Sequence, residues 1–337
     1  MRDSMGMTVL SLFFLFISYL QAADRTPLPY YVFDSEGVSA DTISRGNTFV
    51  SNIGSFSSGS ENPASLSSNL DNSALTTLLV KTKSSFSKEV EQSQDILHGN
   101  MMRYLSMGGE KGLIFFEPVS RLRSSETFTT GTFPFENRTT EFNLNAIGIA
   151  GGSAYKIGDF GISLSYLFGN ISVKEKRPSQ NEIFTTDTTN GVRMNFGFRV
   201  PYGPFMVGLS AQNAPAFLWW KGYKRDQLPT KLRAGTTLRL GHGILISIDQ
   251  EQVLYKEGSL KKDYTYIGSE SYVGSRGVVR FGVYGEKIDK PEKRHYTTGF
   301  TFKLPQKMNI SYALDTFKLN GEKIKVSVIS VLFPIHP

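Results

Sequence analysis

The sequence predicts an all-β protein: an outer-membrane antiparallel β-barrel of about fourteen strands, preceded by an N-terminal segment that the resemblance described below implies to be a hatch or plug. Three observations carry that prediction. An export signal opens the chain. Segments with one oily and one polar face repeat over most of its length. The connections between those segments alternate between tight turns and long polar loops.

The export signal is read from Arg2, the apolar run Met7–Leu20 and the small residues Ala22 and Ala23 that follow. The run is short for a spanning helix, which needs roughly 20 residues, and no other stretch approaches it. Residues 1–22 are therefore read as a signal peptide that is cleaved on export. Leu20 stands where a small residue is usual for cutting after Ala22, so the cut position is fixed only to within a few residues.

Residues 23–74 are polar, rich in Ser, Asn and Gly, and without strong period. Tyr30–Phe33 reads as a short strand or a packing patch. Asn62-Pro63-Ala64-Ser65-Leu66 reads as a helix start: proline is tolerated at the first helical position, and Asn62 can cap the exposed N–H groups. Leu66 and Leu70 fall four apart, on one face of that helix. The segment cannot bury a core alone, so it is loop, tail or plug.

From 75 to 337 the chain reads as the barrel. Val192, Met194, Phe196, Phe198 and Val200 share one face of their segment, and Arg193, Asn195, Gly197 and Arg199 the other. Leu232 to Leu240 alternates with Arg233, Gly235, Thr237 and Arg239. Ile244, Ile246 and Ile248 oppose Ser247, Asp249 and Glu251, and Ile324, Val326 and Val328 oppose Lys323, Lys325 and Ser327. Short turns such as 202–204, 241–243 and 274–275 alternate with polar stretches such as 175–190 and 218–230. A soluble sandwich also alternates. Long oily faces, charges opposite them, and aromatics near segment ends (Tyr155, Phe160, Phe168, Tyr202, Phe205, Tyr255, Tyr296) favour the membrane. Fourteen strands are expected, from 75–86 to 322–333, with 89–100 as a helical loop. The charges Arg193, Arg199, Arg233, Arg239, Asp249, Glu251, Glu270 and Arg280 are expected to face the lumen.

Composition narrows the function. The 337 residues carry 37 Lys and Arg against 30 Asp and Glu, a net +7, spread along the chain instead of forming a nucleic-acid-binding block. With no cysteine there is no disulfide, thiolate site or cysteine nucleophile, and the four scattered histidines show no metal-ligand spacing. There is no Gly-x-Ser-x-Gly and no supported Ser/His/Asp arrangement. The expectation is a protein that is not an enzyme and has no cofactor or metal. Phe217-Leu218-Trp219-Trp220, flanked by Lys221, Lys224 and Arg225, is the candidate surface ligand patch, or else an interfacial aromatic belt.

These features together resemble the FadL/TodX outer-membrane transporter superfamily, and within it its short PorV-like and spirochaete-type members. The residues that carry the resemblance are Arg45-Gly46 followed by Asn62-Pro63-Ala64-Ser65-Leu66, then Gly208 to Asn213, Leu228-Pro229 with Leu232 to Gly235, Gly268 to Tyr272 with Arg280 to Tyr284, and Asn309 to Ala313 with Lys325 to Ser327. The chain departs from that pattern in its short length, in Ser65 where Gly is commoner, and in Pro334 to Pro337 after the terminal aromatic Phe333.

The resemblance implies a hatch containing Arg45, Gly46 and Asn62 to Leu66 that lines a ligand path. It implies passive uptake of hydrophobic small molecules, fatty-acid-like or aromatic, through the outer membrane of a diderm bacterium. The implied partners are outer-membrane lipid, the hydrophobic ligand, barrel-insertion machinery and a surface-protein partner. Two alternatives stand beside it: a PorV-like interaction or shuttle protein without transport, and a general diffusion porin.

Overall fold

The computed structural model describes residues 37–51, 56–68, 72–81, 101–109, 111–126, 137–176, 183–222, 225–255, 261–319 and 322–335. The expected signal peptide, the Tyr30–Phe33 patch and the 89–100 loop lie outside them. Among the described residues no helix is long and apolar enough to cross a membrane.

Sixteen strands make one sheet: β1 (Ser73–Lys81), β2 (Met101–Gly109), β3 (Gly112–Glu126), β4 (Asn137–Tyr155), β5 (Gly158–Lys176), β6 (Ile183–Tyr202), β7 (Phe205–Gln212), β8 (Ala216–Trp220), β9 (Asp226–Gln227), β10 (Thr230–Leu240), β11 (Ile244–Leu254), β12 (Lys261–Val273), β13 (Gly277–Gly285), β14 (His295–Lys303), β15 (Asn309–Leu319) and β16 (Glu322–Pro334). β1 pairs with β16 and β7 with β10, so fourteen strands close into an antiparallel ring. Closure leaves no unpaired edge, the condition for placing β-structure in lipid. The fourteen expected strands are the fourteen of the ring. β8 and β9 are additional and form a hairpin on the upper part of β6.

The barrel is inside out relative to a soluble protein. Ile114, Ile147, Ile149, Ile162, Leu164, Leu209, Ile248, Phe281 and Phe300 are exposed on its outer face, while Arg193, Arg199, Arg233, Asp249, Glu270 and Arg280 are buried. Exposed apolar surface of this extent is unstable in water and favourable in hydrocarbon.

Three strands outgrow the membrane. β4 and β5 each run 19 residues and β6 runs 20, against the about 9 to 11 that cross a bilayer. The sides exchange polarity partway along. Lower on β4, Ile147 and Ile149 point out; higher up, Phe142 and Leu144 are buried while Glu141 and Asn143 take the outer face. On β5, Ile162, Leu164 and Tyr166 are exposed opposite buried Ser163 and Ser165; above them Leu167 and Ile171 are buried and Lys174 is exposed. The inversion marks where lipid ends. Above that line the wall obeys the ordinary rule, oily in and polar out.

Four expectations are corrected. The 175–190 stretch is largely strand, because β5 continues to Lys176 and β6 starts at Ile183. The 218–230 stretch contains the β8–β9 hairpin. Tyr255 is buried instead of joining an outer belt. In β16 the oily residues Ile324, Val326 and Val328 turn inward, where Val328 and Ala313 pack on plug residues Ala40 and Ile43.

Candidate functional site: the plugged lumen

Ser73 and Ala74 of the expected 23–74 hatch segment already belong to β1 of the wall, whereas residues 37–51 and 56–68 sit inside the ring. They form a five-residue helix α1 (Ala40–Ser44), capped by Ser39, and two 3-10 turns at 56–58 and 63–68. Hydrogen bonds tie the segment to strands around the whole circumference. Ala40 N donates to Ser330 Oγ of β16 at 2.8 Å, Gly46 N to Thr297 Oγ1 of β14 at 3.0 Å, and Phe49 N to Asp249 Oδ2 of β11 at 2.9 Å. On the far side, Asn195 Nδ2 of β6 donates to Ser60 O at 2.9 Å and Ser210 Oγ of β7 to Glu61 O at 2.8 Å.

Asn62 does what its position before proline predicts, and more. Its Oδ1 accepts from Ala64 N at 3.2 Å, capping the 3-10 turn that Pro63 opens. Its Nδ2 donates to Val50 O, joining the two halves of the segment. Ala64, Ser65 and Leu66 are fully buried. Leu66 packs with Phe56, Leu75, Leu113 and Phe115 in an apolar patch between plug and wall. Leu70, its expected partner, lies outside the described residues.

Glycines on the wall make room for this seating. A Cβ at Gly161 would fall on the Pro63–Ala64 peptide, and one at Gly197 on the Asn62 side chain. At Gly268 it would strike the Arg45 backbone. The plug backbone thus lies against bare wall, at a separation that only glycine permits.

The predicted charges all stand on the inner faces, and most form ion pairs with one another or with acids. Arg45 Nη1 of the plug lies 3.0 Å from Glu270 Oε2, whose same oxygen is 2.7 Å from Arg280 Nε. Arg233 lies 3.2 Å from Asp249 and 3.5 Å from Glu251. Its guanidinium is sandwiched between Tyr266, 3.6 Å from the ring centre, and Phe49 of the plug at 4.1 Å. Arg193 pairs with Glu117 at 2.6 Å and Arg199 with Asp159 at 2.7 Å. Arg239 is exposed near the short-turn end and takes no part in these pairs. Buried charges of this kind persist only when paired.

Two plug acids differ in character. Burial pushes the Asp41 carboxyl up, but Arg280, the Ser39 and Ser57 hydroxyls and Arg45 outweigh it and hold the group below the usual range. Burial pushes Glu61 up to about 8; Arg233 opposes the shift and Glu117 adds to it. Glu61 Oε2 has no hydrogen-bond partner among the described residues.

Above the plug the character of the lumen changes. Phe142, Leu144, Leu167, Ile171, Leu218 and Trp220 are buried together on the inner faces of β4, β5 and β8, within a cluster completed by Ala146, Ala216 and Leu228. The expected surface patch is therefore split by alternation along β8. Leu218 and Trp220 turn into this lumenal cluster, while Phe217 and Trp219 face outward. Neither lies in an irregular loop, as the polar flanks had implied.

Other residues, not singled out by their sequence context, complete the site. Glu117 and Asp159 are the acids of two buried pairs. Alternation from Phe115 through Glu117 carries the signal for the first. On β13 to β15, Asp315 Oδ2 accepts from Tyr284 Oη at 2.6 Å and lies 3.0 Å from His295 Nδ1. Among the described residues no group of acids and histidines could hold a metal ion.

No protein-family model and no curated protein sequence matches the chain. Solved structures do match its shape. The CymD monoaromatic hydrocarbon channel superposes with a TM-score of 0.60 at 12% identity, covering 89% of this chain and 98% of that one. A Pseudomonas aeruginosa FadL homologue gives 0.61 at 10% identity, covering 90% of this chain and all of that one. A deletion mutant of the TodX monoaromatic hydrocarbon channel gives 0.53 at 13% identity over 89% and 98%. The fold is that of the FadL/TodX outer-membrane barrels, as the sequence resemblance implied.

Proposed function

We propose that the protein is an outer-membrane barrel for passive uptake of hydrophobic small molecules, fatty-acid-like or aromatic, with residues 37–68 as its gate. The observation that carries this reading is the layering of the lumen. An apolar, aromatic-lined cluster lies above the membrane line, and a polar, ion-paired plug lies beneath it. The upper layer suits capture of a molecule with few polar groups, which leaves water for contact with Phe142, Leu167, Leu218 and Trp220. The lower layer suits closure, because an apolar ligand cannot replace the hydrogen bonds that hold the plug. Passage then requires a shift of the plug relative to the wall, and the reaction is diffusion without chemistry. The fold shared with hydrocarbon channels supports the same assignment.

The test is uptake by vesicles carrying the purified full chain, with a fluorescent fatty acid and a small aromatic probe read against glucose. Saturable flux of the apolar probes without glucose flux supports the reading. Equal flux of all three would make the protein a general porin. No flux, with a protein partner retained through purification, would make it an interaction protein.

A further inference from the structure

The β8–β9 hairpin has an outer face that uptake does not employ. Phe217 pairs with Gln227 and Leu218 with Asp226, so the antiparallel register sets position 225 across from Trp219 on the outward side. There the Arg225 guanidinium lies 3.8 Å from the Phe217 ring centre and 5.9 Å from that of Trp219. Arg225 and Lys221 are both exposed, and no carboxylate pairs with Arg225 among the described residues. Asp226, its neighbour in sequence, turns inward and is buried.

The height of this group on the wall is set by β6. Phe217 pairs with Val192 and Trp219 with Asn190. Val192 is an exposed apolar residue, whereas Asn190 accepts a hydrogen bond from Tyr166 Oη at 2.7 Å. The two aromatics therefore straddle the line where the outer face passes from apolar to polar, the level of lipid headgroups. Stacking fixes the plane of a guanidinium and leaves its edge donors unspent, a geometry matched to phosphate oxygens.

We propose that Phe217, Trp219 and Arg225 form a docking site for the phosphate of an outer-leaflet lipid headgroup, with Lys221 adding positive charge. The occupant is a lipid because the surface faces sideways at headgroup depth, where the adjoining molecules are lipids. The inner face of the same hairpin carries Leu218 and Trp220 of the lumenal cluster. A bound headgroup would brace that inner wall, but the site stands whether or not anything passes through the barrel.

The chain supplies its own reporter. Its only tryptophans are Trp219 and Trp220; Trp219 is exposed and Trp220 buried. The full-length protein in detergent micelles is titrated with phosphatidylglycerol brominated on its chains, and separately with a galactosyl diacylglycerol carrying the same chains but no phosphate. The phosphate lipid should quench tryptophan fluorescence at about fivefold lower mole fraction, the scale of one basic residue at a membrane surface. Arg225→Gln should bring the two curves together without moving the galactolipid curve, and Arg225→Lys should fall between. Coincident curves for the unaltered protein would overturn the proposal without any variant. So would an Arg225→Gln protein, folded by heat-modifiable gel mobility, that kept the full phosphate preference.

Discussion

Arg45 of the plug and Arg280 of β13 share a single carboxylate oxygen, Glu270 Oε2, at 3.0 and 2.7 Å. The three side chains are buried, so the plug is fastened to the wall by a triad in which one acid serves two bases.

That arrangement makes the two ends of the fastening unequal. Arg45→Ala leaves Glu270 paired with Arg280, and the cost should be modest. Glu270→Gln leaves two buried guanidinium groups without their acid, which is worth ~3–5 kcal/mol when a buried pair loses one partner. Glu270→Gln is therefore predicted to raise the open fraction in planar bilayers well above that of Arg45→Ala. Equal open fractions for the two variants would show that Glu270 does not hold the plug.

Steric seating should be as decisive as charge. A Cβ at Gly161 has no space except the Pro63–Ala64 peptide, so Gly161→Val must displace the plug at about 1–3 kcal/mol. Gly241, in a periplasmic-type short turn with nothing near its Cβ position, is the control. Gly161→Val should leak in conductance measurements while keeping heat-modifiable gel mobility, and Gly241→Ala should behave as the parent.

The apolar cluster above the plug separates the two faces of β8. Leu218→Asn puts an amide among Phe142, Leu144 and Leu167 and forfeits about 1.5–3 kcal/mol of apolar contact. Uptake of an apolar probe at low concentration should fall by roughly 10- to 100-fold on that scale. Phe217→Ala, on the outward face, should leave it within about twofold. A reversal of that order would place the ligand outside the barrel.

The ring of strands was legible because alternation of period two survives in sequence, and lipid demands that it be long and regular. Val192 to Val200 shows it best: five oily residues on one side and, on the other, Arg193 and Arg199, both of which turned out to be paired inside. The cap at Asn62 was legible for a similar reason, since capping depends on residues within one turn. Alternation names two faces without saying which is inside, and here the answer changes along a strand. Phe142 and Leu144 look like lipid-facing residues in sequence, yet they lie inward because β4 has by then left the membrane. Trp219 and Trp220 look like one patch and fall on opposite sides of the wall. The inward turn of Val328 depends on Ala40 and Ile43, residues some 290 positions away that no local pattern could bring to bear.

Glu61 should make closure depend on pH. Its carboxyl is buried with the plug, one oxygen unpartnered among the described residues, and its pKa is raised from 4.5 to about 8. A group that binds its proton more tightly in the docked state favours docking at low pH. The contribution is complete below about 4.5 and is lost as pH climbs through about 8. Asp41 acts in the opposite sense. Held below its usual value of 3.8 by Arg280, the serine hydroxyls and Arg45 against the effect of burial, it favours docking above that pH and ceases to do so as the solution becomes more acidic. The plug should therefore sit most firmly in mildly acidic solution, and the open fraction in bilayers should rise between about pH 6 and pH 9. Glu61→Gln keeps the shape of the side chain and removes the titration, so its alkaline rise should vanish while any acid opening through Asp41 remains. An alkaline rise retained in Glu61→Gln would assign it to another group. A flat profile in the parent protein would mean that Glu61 finds a partner when it ionises, without the plug moving.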